Sequence, residues 1–203
     1  LGDVYKRQIT GPQSYWFPYS DFREIISGAS NHVLLFCRER YSYKLLHKLV
    51  DDLQAKNIHV LLSHDTAFYL SESDFGFDIV ARYLLISLRE DKESAIPGKL
   101  KNMLVSIIKR YFNEVIVTDV GKADSFGEYI HLIKDSSIII TDRLHVAILG
   151  ALLGKRVYLM SNIYHKNRGV YEYSIAGKYD VSFYDVKRLP ELIRDLMRME
   201  SWG

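Results

Sequence analysis

Short apolar runs followed by segments with helical spacing recur along this chain, and that alternation constrains the fold more than any other feature. The runs lie at 33–37, 59–63, 83–88, 114–118, 137–141 and 156–160. Each is strand-length, and most are rich in Val, Ile, Leu or Tyr. Helical spacing appears at 41–56, 99–111, 125–135, 144–153, 170–176 and 190–198; in the first of these Leu45, Leu46, Leu49 and Leu53 recur on one face. Strand alternating with helix predicts an α/β fold, mostly parallel sheets with helices on both faces. Thr141 or Asp142 is placed to cap the helix at 144–153, and Gly154 to close it in a left-handed conformation. The Gly150–Gly154 spacing fits neither the dinucleotide nor the Walker pattern, so it reads as close helix packing.

The balance of residues permits such a core. Of 203 residues, 48% are hydrophobic and 26% charged, an ordinary globular mixture. A net charge of +2 gives no general affinity for nucleic acid or membrane. The single cysteine, Cys37, has no internal disulfide partner, which fits the cytosol. One Cys and scattered His give no metal-ligand spacing, and no Gly-x-Ser-x-Gly elbow occurs.

The first eight residues, LGDVYKRQ, stand apart. Asp3 to Gln8 is the translation of GAT GTG TAT AAG AGA CAG, the end of a transposase adaptor used in preparing sequencing libraries, and no Met precedes it. We therefore expect 1–8 to be a non-native segment and the rest a C-terminal fragment. On that expectation the 203-residue chain exposes apolar surface and does not complete a reaction by itself. The polar, Gly-containing stretch 71–78 is the expected linker. It divides the chain into 9–78, 79–186 and a C-terminal helix at 187–203.

Ligands of open parallel sheets bind beyond the carboxyl ends of the strands. Arg38 and Arg40 follow the first run, His64 and Asp65 the second, Arg89 the third. Arg143 and His145 follow the fifth, and His165, Lys166 and Arg168 the sixth. Cations on one edge, where helix N-termini also point, suit a small anion bearing a carboxylate or phosphate. Charged loops produce much of this distribution by chance. Arg143 is more telling, because a cation at a helix N-terminus opposes the macrodipole and calls for an anionic partner. That partner is either a ligand or Asp142 in a structural pair. His145, taken alone, reads more readily as a satisfied core histidine than as a catalytic one.

ITDRLHVAILGALLGKRVYLMSNIYHKNRGVYEYS, residues 140–174, closely resembles the C-terminal signature of polysaccharide pyruvyl transferases: a strand ending in (S/T)DRLH, a small-residue helix, G-(K/I)-P-V and a loop N-S-Y-x-K. Four shorter pieces resemble family segments in the same order: ITGPQS at 9–14, CRERYSYKLL at 37–46, LLSHDTAFYL at 61–70 and SLREDKE at 87–93. Arg156 and His64 stand where the family usually has Pro, and the family's early Gly-rich N-x-GD segment is not in the chain. The resemblance implies a GT-B-type pair of Rossmann-like domains, the N-terminal one truncated here. It implies transfer of a pyruvyl group from phosphoenolpyruvate to a sugar of a surface polysaccharide or its lipid-linked precursor, with formation of a cyclic ketal. No cofactor is implied beyond the donor substrate. The place implied is the cytoplasm, or the inner face of the membrane.

By the same resemblance Arg143, Leu144 and His145 match the family's Arg-Leu-His motif, and Arg89 its preceding essential Arg. Arg143 and Arg89 are then expected to hold the donor's carboxylate and phosphate. His145 is expected to act as acid, base or both, since imidazole titrates near neutrality. Lys166, Arg168 and Arg38 are expected to bind the phosphate or a diphosphate-linked acceptor, and Tyr171 and Tyr173 are candidates to stack on a sugar. Two alternatives stay open: a GT-B nucleotide-sugar glycosyltransferase, and an inactive truncated fragment.

Overall fold

The computed structural model describes residues 11–15, 19–29, 31–76 and 81–200. The segment 1–8 and the last two residues of the expected linker, 77–78, lie outside the described residues. The chain divides into two compact units, 1–66 and 67–203. The division falls before the expected linker, because Ala67, Phe68 and Phe75 pack against the core of the second unit and Phe68 stacks with Tyr179.

The first unit holds helix α1 (Tyr19–Gly28), strand β1 (Val33–Cys37), helix α2 (Arg40–Asp52) and strand β2 (Ile58–Leu62). The two strands pair in parallel, with Val33 opposite Ile58 and Cys37 opposite Leu62. Gln13 extends the pairing on the far side of β1, bridging to Cys37. Ile26, Leu49 and Ile58 form the centre of a small core. Glu39 caps α2, its buried carboxylate accepting from the N–H groups of Tyr41 (2.6 Å) and Ser42 (3.0 Å). A negative charge at that end complements the helix dipole.

The second unit is a five-stranded parallel sheet in the order β4-β3-β5-β6-β7. Its strands are β3 (Tyr83–Ser87), β4 (Val115–Val117), β5 (Ser136–Thr141), β6 (Arg156–Met160) and β7 (Val181–Tyr184). The connecting helices are α3 (Gly98–Tyr111), α4 (Phe126–Lys134), α5 (Leu144–Leu152) and α6 (Lys166–Val170), the last continued by a π-helical turn at Tyr171–Ile175. Helix α7 (Leu189–Glu200) closes the unit. Alternate residues of a strand face opposite sides, and two cores result. Leu85, Ile139, Val157 and Leu159 pack with α4 and α5, while Leu84, Ile86, Ile140, Tyr158 and Met160 pack with α3 and α7. The C-terminal helix therefore belongs to this unit, through Leu189, Leu192 and Leu196.

Helix α5 is buried along nearly its whole length, as a helix lying on the sheet centre must be. Gly150 lets it lie flush: an added Cβ there would stand 2.6 Å from Ile139 Cδ1 and 3.0 Å from Val157 Cγ2. Gly154 follows α5 at φ +67°, as the sequence predicts. The cap differs from expectation. Arg143 occupies the N-cap position without a side-chain cap bond, and Thr141 Oγ1 accepts from the Arg143 N–H (3.0 Å). Among the described residues no helix is long and apolar enough to cross a membrane.

Candidate active site

The strand order places a topological switch at β3. The chain runs from β3 to β4 on one side, then returns past β3 to β5 and continues outward to β6 and β7. Loops that diverge at such a point leave a crevice at the carboxyl ends of the strands. Hydrogen bonds knit those ends together. Thr141 Oγ1 donates to the Ser87 carbonyl (2.7 Å), and Ser87 Oγ accepts from the Val120 N–H (3.1 Å). Asp142, fully buried, accepts from the Arg89 N–H (2.7 Å) and from Ser94 Oγ (3.1 Å). Asn167 donates its amide to the carbonyls of Asp142 (2.7 Å) and Met160 (2.9 Å), tying α6 to the ends of β5 and β6. Asp142 is thus a knot holding the loop after β3, and it does not pair with the Arg143 side chain as one reading of the sequence allows.

The partner of Arg143 is Asp119, the residue that caps the turn after β4. Nη2 of Arg143 donates to Asp119 Oδ2 at 2.6 Å, and Nε donates to Oδ1. Burial raises the Asp119 carboxyl. The hydrogen bonds and charge of Arg143, with the N–H groups of Gly121 and Glu90, outweigh burial and hold it below the usual carboxylate range. Tyr129 lies near the same guanidinium: burial pushes its hydroxyl up to about 12, with the Arg143 charge pulling the other way.

Arg89 and Arg143 converge on Asp91. Arg89 grips that carboxylate through Nε and Nη2, both at 2.9 Å, and Arg143 Nη2 lies 3.8 Å from Asp91 Oδ2. The grip of Arg89 brings the Asp91 carboxyl down to about 2. Arg89 Nη1 also reaches Glu93 Oε2 (3.0 Å), and the same oxygen binds Lys166 Nζ at 2.7 Å. Lys166 comes from beyond β6. It reaches the cluster because Ser94 bridges to Asn162, joining the loop after β3 to the loop after β6. The side chains of Arg89 and Lys166 are only 12% and 10% exposed, so their stems are packed while their charges meet carboxylates.

The other expected residues take different places. His145 is the one exposed residue of α5, in its first turn, so it is not a core histidine. Leu144 is buried in the apolar core on the α4–α5 face. Arg168 pairs with Asp185, which follows β7, and lies 3.8 Å from Glu172. Arg38 belongs to the first unit, where its buried guanidinium binds Asp65 (2.7 Å) and Ser14 Oγ (3.0 Å). Tyr171 stacks with Phe183 at 5.4 Å. Sequence reasoning gave no role to Asp91, Glu93 or Asp119, and it read Asp142 as a helix cap or a partner of Arg143 and not as the anchor of the loop after β3. A count of cations after strands passes over β4, which is followed by an acid; asking which carboxylate could neutralise Arg143 is the signal that reaches Asp119.

The family model for polysaccharide pyruvyl transferases matches residues 6–164. The chain belongs to this family. No curated protein gives a significant match. Among solved structures, an uncharacterised protein of Klebsiella pneumoniae subsp. pneumoniae superposes with a TM-score of 0.58 at 24% identity. That likeness covers 86% of this chain and 62% of the Klebsiella protein, so the chain spans less than two thirds of its neighbour's length. At this identity it establishes the fold. Polysaccharide pyruvyl transferases are transferases, and the turn Asp142-Arg143-Leu144-His145 of this chain lies at the switch point of the sheet.

Proposed function

We propose that this chain carries the donor site for transfer of a pyruvyl group from phosphoenolpyruvate to a sugar of a surface polysaccharide or its lipid-linked precursor. The observation that carries the reading is the convergence of Arg89 and Arg143 on one carboxylate, with Lys166 joined through a second. Asp91 and Glu93 each sit between two cations, and phosphoenolpyruvate brings two anionic groups, a carboxylate and a phosphate. A ligand that displaces these side chains finds clamps already spaced for a pair of anions, and Arg offers the planar fork that fits either group.

The chemistry is a balanced addition and displacement. A proton adds to C3 of the enol, C2 becomes electrophilic, and a sugar hydroxyl attacks C2 as its own proton departs. The bond from C2 to the phosphate oxygen then breaks, and phosphate leaves with the electron pair. A second hydroxyl closes the ketal as its proton is lost. Exposed at the N-terminal turn of α5, next but one to Arg143, His145 is the group we assign to proton transfer. The work is done in the cytoplasm, where the donor is available, at the inner membrane face when the acceptor is lipid-linked.

Calorimetric titration tests the donor site. Phosphoenolpyruvate is expected to bind saturably, and Arg89→Ala and Arg143→Ala are each expected to weaken it about ten- to a hundredfold. Binding of nucleotide sugars but not of phosphoenolpyruvate would overturn the reading and favour a glycosyltransferase.

A further inference from the structure

We propose that Asp119 and Gly121 form a positioning turn that fixes which edge of the Arg143 guanidinium is presented to the donor; the proposal rests on the donor site argued above. The turn follows β4, across β3 from the strand that carries Arg143. Its Asp119 carboxylate has all its capacity in use: Arg143 Nε and the Gly121 N–H (3.2 Å) on Oδ1, Arg143 Nη2 (2.6 Å) and the Glu90 N–H (3.3 Å) on Oδ2. The side chain is 2% exposed. A carboxylate so buried and so fully hydrogen-bonded has no freedom to follow a moving guanidinium.

Gly121 supplies the second half of the device. A Cβ built on it would stand 2.6 Å from Arg143 Nη1 and 2.8 Å from Nε, closer than side chains pack. Its φ is not in the left-handed region, so glycine is not required there by the backbone. What glycine provides is a bare surface on which the guanidinium lies flush. With Nε and one hydrogen of Nη2 held by Asp119, the end-on edge, both Nη1 hydrogens and the second of Nη2, remains for a ligand. On that side stands Asp91, 3.8 Å from Nη2 and beyond hydrogen-bond length.

The electrostatics separate orientation from charge. A buried carboxylate beside Arg143 lowers the net positive potential, which by itself weakens anion binding. A carboxylate retained to aim a two-point clamp strengthens binding through geometry. The two roles predict opposite outcomes when Asp119 loses its charge.

The test is the affinity of the 203-residue protein for phosphoenolpyruvate, by calorimetry, in five variants with folding checked by circular dichroism. Asp119→Asn keeps one acceptor but cannot receive both nitrogens. Gly121→Ala changes no charge and pushes the guanidinium off its surface, so it decides the question even if Asp119→Asn does not fold. Each is expected to bind about tenfold or more weakly than the unmodified protein. Placed on an Arg143→Ala background, each is expected to change the residual affinity by less than about twofold, an insensitivity that a merely structural role would not produce. Unchanged or tighter binding in folded Gly121→Ala and Asp119→Asn overturns the positioning turn and leaves the donor site standing, as does an equal loss with and without Arg143. Failure of the unmodified protein to bind phosphoenolpyruvate overturns the donor site and this inference with it.

Discussion

Arg143 carries five N–H groups, and its orientation decides which of them meet a ligand. Two are held by Asp119, and the rest form a planar fork that Lys cannot reproduce. Arg143→Lys is therefore expected to weaken phosphoenolpyruvate about ten- to a hundredfold although the charge is kept. His145→Gln is expected to act differently in an assay of phosphate release with donor and acceptor present. Turnover should fall by about 10²–10⁴ with donor affinity nearly unchanged, as for a group that moves a proton in the slow step. Folded variants with unaltered affinity and rate would demote both residues to structural contacts. Legibility at this scale was uneven. Arg89, Arg143, His145 and Lys166 follow apolar runs and carry the family's motifs, so they stood out. Asp119 did not, since an acid after a strand signals no anion site until the sheet order sets it beside Arg143.

Elements whose residues agree with one another along the whole run were readable from sequence; those depending on a single neighbour were not. Strands β1 to β6 are short, mostly apolar runs and appear close to where the sequence places them. Strand β7, VSFY, is four residues long, pairs among the described residues only with β6 and half-exposes Ser182 and Phe183, so nothing local marks it. Helix α1, YSDFREIISG, opens on polar residues and buries only Ile26 among those with described side chains, too weak a stripe to detect. The reading of Gly150 as a packing glycine is borne out, and it yields a prediction about α5. Gly150→Ala forces a methyl into Ile139 and Val157 and is expected to cost about 1–3 kcal/mol, despite the better helix propensity of Ala. Urea unfolding measures it; a variant as stable as the parent would show that α5 can lift from the sheet without penalty.

The two units differ in how much water their strands can meet. In the second, both faces of the sheet are covered by helices and β3, β5 and β6 are buried. In the first, β1 and β2 leave Leu34 58% and Leu61 39% exposed beside a small core centred on Ile26, Leu49 and Ile58. Native-state hydrogen exchange is expected to show the amides of β1 and β2 opening well before those of β3, β5 and β6. Equal protection would mean that the units open as one. The strand order has a further consequence, in time rather than in space. With every ladder of the sheet parallel, no hairpin can seed it, and β3 must wait on the ribosome for β4 and then for β5, which begins at Ser136. At roughly 5–20 residues per second that interval is several seconds, during which the apolar run YLLIS has helix α3, the three-residue strand β4 and the preceding Ala67, Phe68 and Phe75 beside it, but not its central partner β5. The chemistry assembled at the switch point is thus tied to a slow, exposed step of synthesis, when the nascent chain is most open to chaperone capture.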